Sequence, residues 1–191
     1  MEIGSKILIT GGLGFIGSYF SLELSRYHDV VIIDNKSGYS KLAEEILSSK
    51  KNIKIYNDDI TTCDFSKYLD GVSTVFHFAA NSDISSGVNN PTIDFDITTL
   101  GTHRLLKSMT EMNVSNIIYP SGSGVYGDAK DVVLSENYSP LEPVSYYGAS
   151  KLAAESFISS FCYMAGINAL VFRFANVVGI RQTHGVAYDL I

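Results

Sequence analysis

The chain has 191 residues, of which 46% are hydrophobic and 18% are charged, so it can bury a substantial core within one domain or within one domain and the start of another. Its formal net charge is −6, so the chain lacks the overall positive charge with which proteins bind nucleic acids or anionic membranes. We expect neither as a partner. Two distant cysteines, no visible signal peptide and no long apolar span lead us to expect a cytoplasmic protein without a disulfide framework or a metal site.

The first predicted element is a strand that leads into a glycine-rich turn and a helix. Residues 7–9 form a short apolar run, which is typical of a parallel strand buried on both faces. Glycines in such a turn allow a tight bend, a close approach of backbone to a pyrophosphate and close packing of the helix on the strand. The new helix directs unpaired N–H groups at the phosphates. The predicted pyrophosphate site consists of Gly11, Gly14, Phe15, Ile16 and Gly17.

The second predicted strand, residues 30–33, ends at Asp34. A carboxylate in this place can accept hydrogen bonds from both ribose hydroxyls of an adenosine, and it would repel a 2′-phosphate. The sequence therefore predicts NAD in preference to NADP. Considered alone, Asp34 is equally compatible with a solvated residue at the end of a strand, and it is the preceding glycine turn that favours cofactor binding.

A helical pattern over residues 41–49 leads to a third predicted strand, residues 53–56. Two residues beyond this strand can contact an adenine. Asp59 can accept a hydrogen bond from the amino group of the base, and Ile60 can pack on its ring. As an isolated feature, this segment is also compatible with an ordinary turn.

The fourth predicted strand, residues 74–78, runs into the small residues Ala79 and Ala80. Small side chains at the carboxyl end of a parallel strand leave room for a ligand in the crevice there. His77 lies within the apolar run, and we interpret it as a core histidine with satisfied hydrogen bonds rather than as a ligand.

Helical and strand patterns continue to alternate through the rest of the chain. They predict a helix, a strand, a long loop, a helix and a strand over residues 91–112, 117–119, 128–144, 147–165 and 169–174. This alternation indicates right-handed βαβ crossovers. We therefore predict an α/β fold: a Rossmann-type doubly wound parallel sheet with helices on both faces.

Tyr147 and Lys151 lie one helical turn apart, on one face of the second long helix. A free tyrosine has a pKa of about 10, but a nearby ammonium and the positive nicotinamide of an oxidised cofactor both favour the phenolate. Tyr147 could then exchange a proton with a substrate hydroxyl while hydride moves to the nicotinamide, and Lys151 could hold the nicotinamide ribose. Such pairs also arise by chance, and the preceding nucleotide-binding turn is what points to catalysis.

Six stretches occur in order over nearly the whole chain: TGGLGFIGS at 10–18, IDN at 33–35, HFAAN at 77–81, VYGD at 125–128, YYGASK at 146–151 and RFANVVGIRQTHGV at 173–186. In these the chain resembles the extended short-chain dehydrogenase/reductase family, specifically the nucleotide-sugar epimerases of the UDP-glucose 4-epimerase type. The resemblance implies that NAD is held by residues 1–175 and that Tyr147 and Lys151 are catalytic. The long helices resemble the pair that forms a four-helix interface in this family, so we expect a homodimer.

The resemblance also implies the remaining site residues. The implied cofactor contacts, beyond those already named, are Asn35, Lys36, Ser37, Gly38, Phe78, Ala79, Ala80, Asn81, Ser121, Tyr147, Lys151 and Phe174. The implied substrate contacts are Asn81, Ser123, Tyr147, Asn176 and His184. Residues 176–191 would begin a truncated C-terminal segment, which in this family builds most of the sugar site.

Three departures from the family pattern bear on activity. Gly122 stands where the family usually has a serine or threonine that bonds the reacting hydroxyl, which makes Ser121 and Ser123 the candidate replacements. Thr98 stands where the family often has an asparagine. The chain ends at Ile191, before the segment that would complete the sugar site.

The sequence leaves three functions open. The first is NAD-dependent 4-epimerisation of a UDP-hexose, UDP-glucose or UDP-galactose, through a transient 4-keto sugar. The second is another modification of a nucleotide sugar, among which dehydration is disfavoured because the related dehydratases carry Asp-Glu where this chain has Ser123 and Gly124. The third is a cofactor-binding remnant or a cut piece with little turnover.

Overall fold

The structure, a computed structural model, describes residues 2–81, 83, 85–180 and 182. Its strands are β1 (Lys6–Thr10), β2 (Asp29–Asp34), β3 (Ile53–Asn57), β4 (Val72–His77), β5 (Asn116–Gly122) and β6 (Asn168–Phe174). They form one parallel sheet in the order β3-β2-β1-β4-β5-β6. The strand order reverses between β1 and β4, and a crevice for a ligand is expected at the carboxyl ends of these two strands. The predicted Rossmann-type α/β fold is confirmed.

Seven α-helices connect the strands. They are α1 (Phe15–Leu24), α2 (Lys41–Ser48), α3 (Ser66–Leu69), α4 (Ser86–Asn89), α5 (Thr92–Asp94), α6 (Gly101–Glu111) and α7 (Tyr146–Ala165) within the described residues. A π-helical turn, Phe95–Leu100, joins α5 to α6, and a 3₁₀ helix, Ser123–Tyr126, follows β5. The predicted helix over residues 91–112 thus consists of three consecutive pieces. The short helices α3 and α4 were missed because four residues are too few for a periodic pattern.

Each face of the sheet packs against its own layer of helices. Leu8 belongs to a core with residues of α6 and α7, whereas its neighbours Ile7 and Ile9 belong to a second core with residues of α1 and α2. All three side chains are fully buried. The prediction that the first strand is buried on both faces is therefore confirmed, because successive side chains of a strand point to opposite faces.

Helix α7 begins just ahead of the predicted catalytic pair. The Ser145 hydroxyl accepts a hydrogen bond from the Gly148 N–H at 3.0 Å, which caps the helix, and the helix ends at Gly166 with φ 70°. The helix packs on α6 and on the π-helical turn. Tyr147 and Lys151 consequently lie in its first turns, at the carboxyl ends of the strands.

None of the helices in the described part of the chain has the length and apolar character needed to cross a membrane. The predicted division of the chain at residue 175 stays a prediction. His184 lies outside the described residues.

Candidate active site

The turn between β1 and α1 has two positions at which only glycine fits. Gly11 has φ +67°, and a Cβ on it would lie 2.7 Å from the backbone nitrogen of Ala79. A Cβ on Gly17 would overlap the carbonyl oxygen of Gly11. The glycines therefore bring β1, α1 and the segment after β4 closer together than any other residue would allow.

The first turn of α1 is open to an anion. Gly14 is the N-cap residue and offers no side-chain cap, so the N–H groups of Phe15 and Ile16 are not satisfied by a capping side chain. Unpaired N–H groups at a helix N-terminus, together with the helix dipole, favour a phosphate. The turn thus fits the pyrophosphate of a dinucleotide.

The Asp34 carboxylate ends β2 directly beside this turn. One oxygen accepts a hydrogen bond from the Leu13 N–H at 2.9 Å, and the other accepts one from the Lys36 N–H at 2.8 Å. Burial raises the pKa of Asp34, and these two bonds and the Lys36 ammonium act in the opposite direction. The Lys36 ammonium itself is bound by Glu44 at 2.6 Å. Each Asp34 oxygen retains a lone pair for a ribose hydroxyl.

The predicted adenine contacts occupy different environments. Asp59 accepts hydrogen bonds from the Asn35 amide at 2.9 Å and from the backbone N–H and hydroxyl of Thr61. Burial tends to raise the pKa of Asp59, but these bonds outweigh it and the pKa is lowered. Ile60 is buried in the core against α6. Ser37 and Gly38 are exposed in the loop that follows Asp34 on the same side.

Residues after β4 line the crevice, although their side chains are partly committed to other contacts. The Ala79 N–H donates to the Thr10 hydroxyl at 3.3 Å, and the Phe78 ring lies 5.0 Å from the ring of Phe20. The amide nitrogen of Asn81 donates to Ser86 at 3.0 Å and to a buried carboxylate of α5 at 3.1 Å. Ala80 is half-buried beside them.

His77 is a core residue, as predicted. Its ring nitrogens lie 2.6 Å from the hydroxyl of Thr10 and 3.0 Å from the hydroxyl of Thr102. Complete burial lowers the pKa of His77 to about 3, so the ring is neutral at physiological pH. The histidine connects β1 to α6 beneath the crevice.

The Lys151 ammonium is held under the tyrosine of the pair. It donates a hydrogen bond to the carbonyl oxygen of Pro120 at 2.9 Å, and it lies 4.8 Å from the ring centre of Tyr119 and 5.7 Å from that of Tyr147. Burial lowers the pKa of Lys151 to about 8, and the charges of Asp94 and Glu155 oppose this shift. The ammonium form therefore predominates at neutral pH.

The pKa of the Tyr147 phenol is shifted in the direction opposite to the one that the sequence led us to expect. The sequence led us to expect that Lys151 would lower its pKa, but burial raises the pKa of Tyr147 and the charge of Asp94 adds to the effect. The reason is that burial removes water from around the phenol and so disfavours the charged phenolate. A positive nicotinamide beside the ring would act in the lowering direction.

Gly122 is the position that faces the phenol. A Cβ on Gly122 would lie 4.0 Å from the Tyr147 oxygen. The backbone there is extended, with φ −151° and ψ 164°, so the preceding side chain of Ser121 points to the other face of β5. The Ser121 hydroxyl is buried and has no hydrogen-bond partner among the described residues. Ser123 is exposed and lines a cavity of about 480 Å³ together with Arg173.

The remaining predicted contacts lie beyond β5. The ring of Phe174 stacks on that of Phe172 at 5.6 Å, and its carbonyl oxygen faces Gly122. Asn176 is exposed in the segment after β6.

Sequence reasoning missed two acidic residues of this site. Glu155, on α7, forms an ion pair with Arg173 at 2.8 Å. Asp94, on α5, is fully buried. A helical period of three to four residues through Asp94, Thr98 and Thr102 was the signal that could have placed this carboxylate on the buried face.

Fold and site together define a dinucleotide-binding α/β domain with a tyrosine–lysine pair at the carboxyl end of its sheet. A model of the NAD-dependent epimerase/dehydratase family matches residues 7–191, and the chain belongs to this family. The predicted resemblance and the prediction of NAD as the cofactor are thereby confirmed.

Known relatives carry out more than one reaction. The chain is 32% identical to a UDP-glucose 4-epimerase of Halalkalibacterium halodurans over 96% of its own length and 54% of that protein. It is 32% identical to a dTDP-D-glucose 4,6-dehydratase of Bos taurus over 95% of its length and 53% of that protein. The solved UDP-N-acetylglucosamine 4-epimerase of Methanobrevibacter ruminantium M1 superposes with a TM-score of 0.89 at 30% identity, covering 98% of this chain and 60% of that one. The chain thus spans little more than half of these relatives.

Proposed function

We propose that this protein is an NAD-dependent epimerase that inverts C4 of a nucleotide-diphospho-sugar, with UDP-glucose and UDP-galactose as its substrates. The observation that carries the proposal is the pair formed by half-buried Tyr147 and buried Lys151, which lies at the same edge of the sheet as the glycine turn and Asp34. Known 4-epimerases among the relatives support it. Dehydration is disfavoured because Ser123 and Gly124, ahead of the VYG segment, provide no carboxylate for eliminating water.

NAD, when bound, would supply reversible hydride chemistry at C4 of the sugar. Residues of the chain transfer the proton of the C4 hydroxyl. Tyr147 as phenolate removes the proton of the C4 hydroxyl and later returns it. The tyrosine therefore ends each catalytic cycle in the protonation state in which it began. Lys151 stabilises the phenolate through its positive charge and is available to the nicotinamide ribose. Gly14, Phe15 and Ile16 would hold the pyrophosphate through backbone N–H groups.

The proposal is tested by two measurements on the purified protein. Mass spectrometry of the nucleotide released on denaturation identifies the cofactor, and an assay with UDP-galactose detects UDP-glucose. We expect NAD and interconversion of the two sugars. A 4-keto-6-deoxy product would instead identify a dehydratase, and the absence of any turnover with NAD bound would contradict the epimerase.

One observation favours a second candidate function, a cofactor-binding protein with little turnover. Gly122 presents no hydroxyl at the position that faces the phenol of Tyr147. Such a protein would bind NAD as tightly as an epimerase but would leave UDP-galactose unchanged.

We predict that replacing Asp34 by alanine weakens NAD binding and narrows the preference for NAD over NADP. The reason is that the variant loses both the acceptor for the ribose hydroxyls and the charge that repels a 2′-phosphate. Titration of the protein with each dinucleotide measures both effects. Asp29→Ala, an exposed position at the other end of β2, is the matched control and should change neither affinity. Equal or tighter binding of NADP by the wild type would refute the assignment of Asp34.

We propose that the protein is a homodimer whose interface is formed by α7, α6 and the π-helical turn that precedes α6. Phe157 on α7 is 38% exposed and Leu100 is 40% exposed, although both are large and apolar. The ring of His103 lies 5.1 Å from that of Phe157 and extends the patch. In a two-fold symmetric dimer, this patch would pack against the same patch of the second copy and be removed from water.

Light scattering at high micromolar concentration tests the dimer. We expect a dimer for the wild type and dissociation for Phe157→Glu, because a carboxylate would be buried in the interface. Val133→Glu, at a loop residue that is 95% exposed, is the control and should stay dimeric. A monomeric wild type would overturn the proposal.

A further inference from the structure

We propose that Asp94 is a positioning residue of the candidate active site: its buried carboxylate is the counter-charge that keeps Lys151 in the ammonium form. The consequence of Asp94 for turnover rests on the proposed function, whereas the effect of Asp94 on Lys151 does not. The proposal extends the tyrosine–lysine pair to a charged triplet spanning α5 and α7.

The Asp94 carboxylate is buried with few donors around it. Its side chain is 0% exposed, and one oxygen accepts a hydrogen bond from the amide of Asn81 at 3.1 Å. The other oxygen has no hydrogen-bond partner among the described residues. A Cβ on Gly87 would lie 2.8 Å from that oxygen, so helix α4 leaves just enough room for it. A carboxylate buried with an unpartnered oxygen is costly unless a positive charge lies nearby.

Lys151 supplies that positive charge. Its side chain is only 3% exposed, and its one hydrogen bond among the described residues is to the carbonyl oxygen of Pro120. Helices α4 and α5 both pack on α7, and α5 is a single short turn that ends at Asp94. The charge of Asp94 acts on Lys151 in the direction that raises its pKa, against the effect of burial.

The other groups around Lys151 cannot replace Asp94. The titratable groups that face the ammonium or act on it are His77, Asp94, Tyr119, Tyr147 and Glu155. His77 is neutral, and burial raises the pKa of both phenols. Glu155 is held in an ion pair by Arg173. Among the described residues, Asp94 is thus the carboxylate of this set whose charge is not already paired with an arginine.

The carboxylate acts on both members of the pair with opposite consequences for charge. It favours the ammonium of Lys151 and disfavours the phenolate of Tyr147, which means that it raises the pKa of each. Removing its charge should therefore lower both pKa values. In an active enzyme both limbs of the pH profile of kcat should then move to lower pH.

The test is an NMR titration of the protein labelled with carbon isotope in its lysine side chains. The Cε resonance of Lys151, assigned by its loss in Lys151→Arg, reports the pKa of this residue without any turnover. In Asp94→Asn, which keeps the shape of the side chain, we expect that pKa to fall by about one unit. Asp96→Asn removes an exposed charge two residues along the same helical segment and should leave it unchanged. An unaltered pKa in Asp94→Asn would overturn the proposal.

A second measurement needs no variant and covers the case in which Asp94→Asn does not fold. In the wild type, the Cγ resonance of Asp94 should shift at the pH at which Lys151 loses its proton. If it does not move there, the two groups are not coupled and the proposal fails. If the coupling is found but UDP-galactose is not converted, the proposed function fails and the role of Asp94 stands.

Discussion

Replacing Tyr147 by phenylalanine is expected to abolish sugar epimerisation while NAD remains bound. The phenol is the group placed to take the C4 proton, and losing a positioned acid–base group lowers turnover by roughly 10²–10⁴-fold. Phenylalanine preserves the ring that lies 5.7 Å from the Lys151 ammonium, so the packing of α7 should be unchanged. The measurements are kcat with UDP-galactose and the amount of NAD released on denaturation.

The neighbouring residue provides the matched control for this experiment. Tyr146 is 54% exposed, and Tyr146→Phe removes the same oxygen one position earlier in the helix. We expect its kcat to equal that of the wild type. If Tyr147→Phe retained full turnover, Tyr147 would not be the acid–base group and the proposed mechanism would be wrong.

Replacing Gly122 by serine is expected to raise turnover by roughly ten- to a thousandfold, the range that one positioned hydrogen-bond donor provides. A Cβ at this position would lie 4.0 Å from the Tyr147 oxygen, with backbone at a comparable distance, so a hydroxymethyl group can be accommodated. The added hydroxyl could bond the reacting oxygen of the sugar. Steady-state kcat with UDP-galactose is the measurement.

Three variants separate this effect from a general change in the loop. Gly124→Ser adds the same atoms beside the Tyr147 ring rather than its oxygen and should not raise kcat. Ser121→Ala and Ser123→Ala test whether either native hydroxyl already fills the role, in which case one of them should lower kcat by a similar factor. A large loss in Ser121→Ala would show that the strand turns this hydroxyl towards the sugar despite its present direction.

The sequence by itself determined the parts of the molecule that depend on local pattern. Runs of three to six mostly apolar residues predicted the strands, and the clearest of them belong to β1, β2 and β4, which are buried on both faces of the sheet. Local pattern also pointed to the candidate site residues, namely the glycines at 11 and 17, the acid at 34 and the pair at 147 and 151. Their chemistry is tied to their place at the end of a strand or on one face of a helix.

Only the tertiary structure decided the electrostatics of the site. It buried both Asp94 and Lys151, which 57 positions separate in the chain. It also showed that Gly122, and not Ser121, faces the phenol. The physical reason is that a pKa and the direction of a side chain depend on which distant elements exclude water from it, and β5, α5 and α7 meet only when the sheet has formed.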